Sequence, residues 1–323
     1  MLQSFLKTVL LIIFLPIYTF AQNKDSIQKR AVAFVADKFP STRILNVEYT
    51  TLSPYDFKQK LDGRDLSENK MKNFQQIKAN ANFYFFKKEK WTISTSLNYK
   101  YTTLDAKDNN SNFGYLSEKN NFHYHSEAIT ASHISSLWNK MAIYTATFSV
   151  DGNEKSFERA RGFLTGSLML TANERTKLIL GLAVIIDPST QVPVFPVISY
   201  EHKFRNGWIA DVILPKRVQL KKDVFSNGRI AFGSDMDISS FYMNKNNKTY
   251  EYRQTEINTG VTYEHKIGAF IGTVKTGVRS VPVARVFDKN DSFNNYLYQA
   301  RPKSSFYINF GISYNPFVNK KNK

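Results

Sequence analysis

From Arg43 onward, polar and apolar residues alternate with a period of two, and the alternation is clearest at the end of the chain. In Ser305–Phe317, Phe306, Ile308, Phe310, Ile312 and Tyr314 share one parity, while Tyr307, Asn309, Gly311, Ser313 and Asn315 share the other. A strand turns successive side chains to opposite faces, so this segment has one apolar and one polar face. It is longer than the ~5–6 residues of a typical globular strand. It suits the ~9–11 residues that cross a bilayer as a tilted strand. An unpaired apolar face of that length is a hazard in water, and a closed barrel in lipid requires it.

The same reading predicts strands over 44–52, 72–86, 91–104, 120–134, 138–150, 157–171, 176–186, 194–204, 208–214, 217–222, 228–236, 250–266, 269–280 and 305–317. The connections alternate. They are short at 87–90, 135–137, 173–175, 205–207 and 267–268, and long or polar at 53–71, 105–119, 187–193, 237–249 and 281–302. Bacterial outer-membrane barrels show this alternation, with short periplasmic turns and long outer loops. Trp91, Trp138 and Trp208 each follow a short turn, where an aromatic girdle would meet the periplasmic interface. Counting Arg217–Lys222 as a strand gives fourteen; folding 209–222 into a hairpin outside the membrane gives twelve. The expected fold is therefore an all-β transmembrane antiparallel β-barrel of 14 strands, with 12 as the alternative.

The beginning of the chain follows another pattern. A basic start with Lys7, an apolar run over Thr8–Tyr18 and small residues before Gln22 read as a cleavable signal spanning residues 1–21. Residues 22–42 are a periplasmic lead-in with one candidate helix, either free or acting as a plug, and 43–323 form the barrel domain. The absence of cysteine excludes a lipid anchor on cysteine and structural disulfides. Aromatics make up 15% of the chain against a negative mean hydropathy, as expected when only alternate residues meet lipid. The formal charge of +17 becomes +16 once the signal with Lys7 is removed. An exported basic chain points to lipid headgroups or anionic solutes rather than nucleic acid.

Candidate chemistry lies on the polar parities. Lys78, Lys100, Arg159, Arg161, Arg229, Lys275 and Arg279 are expected to line the lumen with Glu127, Glu201, Asp211 and Glu256. Such charges pair and brace a barrel, and rings of Lys and Arg also favour anions in pores. His123, His125 and Glu127 share a parity, with His133 further along, and are expected to face the lumen. Histidines two apart on a strand can share a metal, and a His/Glu pair can exchange protons, but no second ligand group or nucleophile stands at a defined spacing. No catalytic constellation, metal site or cofactor motif is expected. The last-strand residues Phe310, Ile312, Tyr314 and Phe317 read as a signal for the barrel-assembly machinery, recognised through either Tyr314 or Phe317.

Several runs carry a resemblance: N-V-E-Y-T at Asn46–Thr50, K-W-T at Lys90–Thr92 followed by L-N-Y-K-Y, P-V-I-S-Y at Pro196–Tyr200, and W-I-A-D-V-I-L-P-K-R at Trp208–Arg217. With the signal and the aromatic-ended last strand, they make the chain similar to the uncharacterised outer-membrane β-barrel proteins of Bacteroidota, a domain of unknown function. The resemblance implies the cell outer membrane and carries no activity. The function expected from the residues is a passive channel or small-solute transport barrel with a basic lumen. The alternatives are a non-conducting structural or surface-binding barrel and, third, a lipid-modifying barrel enzyme.

Overall fold

The computed structural model describes residues 27–88, 90–107, 118–245 and 247–316; the signal segment and Phe317 lie outside them. One helix, α1 (Ile27–Lys38), and a 3-10 turn at Pro40–Thr42 precede the strands. These are β1 (Leu45–Leu52), β2 (Tyr55–Leu61), β3 (Arg64–Lys88), β4 (Trp91–Lys107), β5 (Glu118–Leu137), β6 (Lys140–Gly152), β7 (Phe157–Ala172) and β8 (Thr176–Ile186). They continue with β9 (Val194–Lys203), β10 (Trp208–Leu214), β11 (Arg217–Val224), β12 (Gly228–Lys245), β13 (Lys248–Ile267), β14 (Phe270–Asp288), β15 (Tyr298–Pro302) and β16 (Ser305–Tyr314).

All sixteen strands belong to one antiparallel sheet. β1 pairs with both β16 and β3, closing a ring from which only β2 and β15 are absent. The ring therefore has fourteen strands, and Arg217–Val224 is one of them. The parity argument explains its two faces. On β1 and β16, Leu45, Val47, Phe306, Phe310 and Ile312 are exposed, whereas Asn46, Asn309 and Ser313 are buried. That inversion of a globular surface is the lipid-facing band of a membrane barrel. Trp91, Trp138 and Trp208 sit at the short-turn end, and Trp138 is 79% exposed.

Several segments expected as loops are strands. Residues 53–71 contain β2 and the first part of β3, joined by a turn at Asp62–Gly63, and 281–302 contain the end of β14 and all of β15. Charged residues such as Lys58, Lys70 and Lys72 hid these strands, because above the membrane an outward face meets water and needs no apolar parity. β2 and β15 pair with each other and splice between β3 and β14, extending the wall beyond β1 and β16. At the other end, the last strand stops at Tyr314, three residues before its expected limit at Phe317.

The extracellular half of the ring is pinched. Gly233, Gly260 and Gly277 lie side by side on β12, β13 and β14. A Cβ on any of them would fall 2.0–2.1 Å from a neighbouring-strand carbonyl oxygen, so only glycine allows this close approach. A register shift at Thr255/Ile257 follows, opposite Pro282, where a proline is tolerated because the ladder is already broken. Above these points β12 outlasts its neighbour: its pairing with β11 ends at Asp235. It reaches β5 on the far side of the ring, where Phe241 stacks on Phe122 with ring centroids 4.1 Å apart.

The strands running from β12 through β13, β14, β15, β2, β3 and β4 to β5 thus enclose a compartment of eight strands. Eight is the number at which a barrel interior is just filled by side chains. Phe57, Met71, Leu104, Met243, Tyr252, Val286 and Tyr298 fill it, each no more than 7% exposed. This packed core sets the orientation of β5 and corrects one expectation. Phe122 and Tyr124 point inward against the core, so His123, His125, Glu127 and His133 face outward rather than into the lumen. His123 contacts Tyr99 and Tyr101, His125 contacts Phe157, and His133 packs on Trp91. Polar residues turn inward only where the lumen is wet; where the interior is packed, the apolar parity turns in.

Candidate functional site

Below the pinch, the lumen holds a cavity of about 280 Å³. Its walls come from β1, β3, β4, β11–β14 and β16, and its floor from residues 37–41 at the end of α1. The barrel parity explains the composition, since the inward face of each strand there carries the polar residues. Five of the expected lumen cations, Lys78, Lys100, Arg229, Lys275 and Arg279, line this one cavity.

The floor is held by ion pairs. Lys38 at the end of α1 is buried and reaches Glu201 at 2.7 Å and Asp211 at 2.6 Å on β9 and β10. Asp211 also receives Arg217 at 2.8 Å and is in contact with Lys221. Arg217 additionally donates to the Lys38 carbonyl oxygen. Asp37 accepts from Arg229 at 2.9 Å, and Arg43 reaches Glu264 at 2.6 Å and Ser313 at 3.0 Å. Phe34 lies beneath both Lys38 and Lys177, which places α1 across the lumen from β1 to β8. Burial opposes the charged form of Asp37, but the Arg229 guanidinium outweighs it and holds the carboxyl below the ordinary carboxylate value. The amphipathic pattern of Asn23–Pro40 was too weak to distinguish a free lead-in from this seat; the informative signal was the K-F-P-S-T-R run, with charges at both ends of a helix stop.

A second group of charges closes the part of the mouth outside the eight-stranded compartment. Arg159 and Arg161, expected in the lumen, lie here rather than in the cavity. Glu251 is fully buried and meets Arg159 at 3.0 Å, Arg161 at 3.2 Å and Arg253 at 2.7 Å. Arg161 also pairs with Asp151 at 2.8 Å, and Asp187 in the β8–β9 connection joins through Arg159 at 3.2 Å. Three arginines balance three carboxylates, so the cluster is a neutral brace. At Asp187, burial raises the carboxyl, while Arg161, Ser189 and Arg159 prevail and hold it below its ordinary value.

The cavity is closed above by the apolar compartment and below by α1, but one wall is low. β10 and β11 are 7 and 8 residues long, against 18 for β12. Lys216, in the turn between them, lines the cavity while its side chain is 43% exposed. The wall is thus lowest at Lys216, whose half-exposed side chain lies between the cavity and solvent. Among the described residues, no group of three or more His, Cys, Asp or Glu side chains is placed to hold a metal.

The family model of a domain of unknown function, DUF6268, matches residues 31–315, and the chain belongs to that family. No curated protein matches it. Among solved structures, the chain is similar to an outer membrane channel from Pseudomonas putida F1, with 8% identity and a TM-score of 0.36 over 83% of this chain and 93% of that one. It is also similar to the transport unit of the autotransporter AIDA-I from Escherichia coli, with 11% identity and a TM-score of 0.32 over 89% and 97%. A third likeness, to the outer membrane protease OmpT from Escherichia coli, has 10% identity and a TM-score of 0.24 over 84% and 96%.

Proposed function

We propose that this outer-membrane barrel is a gated carrier of small anionic solutes rather than a standing pore. The observation that carries the reading is the contrast within the lumen: a basic cavity is lined at Lys216 by a half-exposed side chain, yet α1 closes its periplasmic side chiefly through ion pairs. The apolar compartment excludes a path straight through the mouth, so the solute enters at Lys216. It leaves when α1 is released and water takes the place of the helix's ion-pair partners. Outer-membrane lipid surrounds the barrel, and the last strand serves as its assembly signal.

The test is single-channel current in a planar bilayer under a salt gradient, comparing the native chain with an Asp37→Arg, Lys38→Glu double variant. Reversal places a cation against Arg229 and a carboxylate against Glu201 and Asp211. The native chain should stay mostly closed, and the variant should show long openings with a reversal potential of anion-selective sign. A variant that inserts, folds and remains as silent as the native chain would refute the gate. Lys275→Glu in the opened variant should reduce the anion preference.

A further inference from the structure

The charges around the upper part of the cavity do not cancel, and the surplus has a definite size. Asp237 accepts from Lys78 at 2.8 Å and Lys216 at 3.3 Å; Glu48 pairs with Lys275 at 3.1 Å, and Glu256 with Arg279. Lys100 lies in the field of Lys78, Asp237 and Glu256. Among the described residues it has no carboxylate within ion-pair distance, and its ammonium rests 5.0 Å from the Tyr124 ring centre. With Asp235, which also lines the cavity, these five cations face four carboxylates and leave Lys100 over, and across the whole lining nine Lys and Arg side chains face six Asp and Glu.

Unfulfilled donor capacity points the same way. The Nε of Arg279 is buried without a hydrogen-bond partner, although the side chain is only 3% exposed. An orphaned charged donor in a low-dielectric interior is costly, so Arg279 is under-satisfied by Glu256 alone. A cavity of about 280 Å³ falls just below the ~300–1,000 Å³ of sites for drug-sized ligands, so the anion is compact.

We infer that this chamber is a binding site for a phosphate-type dianion held between Lys100, Lys78 and Arg279. The inference rests on the carrier reading for how the ligand arrives, but binding itself requires no movement of α1. Two sources share this chemistry: free phosphate, and the phosphate group of a lipid entering at Lys216.

The experiment is calorimetric titration of the folded full-length protein in neutral detergent. One arm uses inorganic phosphate, a second phosphatidic acid in mixed micelles, and a third chloride at matched ionic strength. Saturable binding of one equivalent of inorganic phosphate, weakened about tenfold or more in Lys100→Met, is the expected result, because charge-assisted bonds are lost. Lys100→Met leaves no carboxylate unpaired, and its fold is checked by heat-modifiable migration. The exposed Lys58→Gln serves as the surface control and should bind as the native protein does. Binding of phosphatidic acid alone, with the same Lys100 dependence, keeps the site and assigns it to lipid phosphate. No saturable binding in either phosphate arm, or binding that Lys100→Met leaves intact, overturns the inference. The two claims separate cleanly: phosphate binding without any current from the opened variant removes the carrier and keeps the site, and the converse removes only the site.

Discussion

The two ends of this lumen are closed by different physics. At the extracellular end the wall folds inward and fills itself with aromatic and aliphatic side chains, braced on one flank by a neutral cluster of buried charges. At the periplasmic end a single helix sits on ion pairs, of which Asp37–Arg229 is partly hydrated while Lys38–Asp211 and Arg43–Glu264 are largely buried. Apolar contact is not screened by salt and is costly to undo, whereas ion pairs are open to screening where they are hydrated, as Asp37–Arg229 is. On the carrier reading, the mouth is permanent structure and the helix is the movable part.

The largest effects should come from damaging the mouth. Glu251→Ala leaves three arginines facing two carboxylates in a largely buried cluster, and breaking a buried network costs ~3–5 kcal/mol. Phe241→Ala removes the ring that joins β12 to β5, at ~3–5 kcal/mol for a buried phenylalanine. Urea unfolding in detergent would measure both. If Phe241→Ala unfolds like the native protein, the extracellular compartment is not a cooperative core, and if Glu251→Ala does, the charge cluster does not brace the mouth. A second, sharper outcome is that Phe241→Ala should not by itself produce steady current, because α1 still covers the cavity floor.

A smaller effect is expected at the helix seat. Asp37→Arg and Arg229→Asp should each loosen the seat of α1 slightly, and the double exchange should restore it. Asp37 is 44% exposed, which limits the pair to about 0.2–1 kcal/mol. Open probability in a planar bilayer reads this cycle directly, and additive effects would show that the two residues do not act on each other.

The ring of strands was legible because lipid enforces one rule on every residue that faces it. Ser305–Tyr314 shows the alternation, and Arg217–Val224 continued it weakly but correctly. That rule lapses above the membrane. β2 and β15 carry charge on faces that meet water, so nothing in Lys58 or Arg301 marked them as strands. The same lapse misled the reading of β5. His123 and His125 looked like a lumen pair because polarity was taken to point inward, and the stacking partner that reverses it, Phe241, lies on a strand more than a hundred residues away. The cations of the cavity were visible one by one, since each lies on a polar parity. Their gathering around one surplus was not, because it depends on which strands the pinch brings together.

The smallest effect is a pH dependence of the helix seat, and its sign follows from Asp37. In the docked state its carboxyl is held below the ordinary value, with burial opposing and Arg229 prevailing. A group depressed in this way stabilises the docked helix fully at any pH above its undocked value, near ~3.9 for an aspartate. The contribution disappears as pH falls through the docked value, so raising the pH from neutrality changes nothing through this group. Open probability should therefore stay flat from about pH 8 to about pH 5 and rise only below about pH 4. In Asp37→Asn the seat has no proton to take up, so openings should already be more frequent at neutral pH and the acid rise should shrink. An unchanged acid rise in that variant would move the titrating group to Glu201 or Asp211, the other carboxylates of the seat.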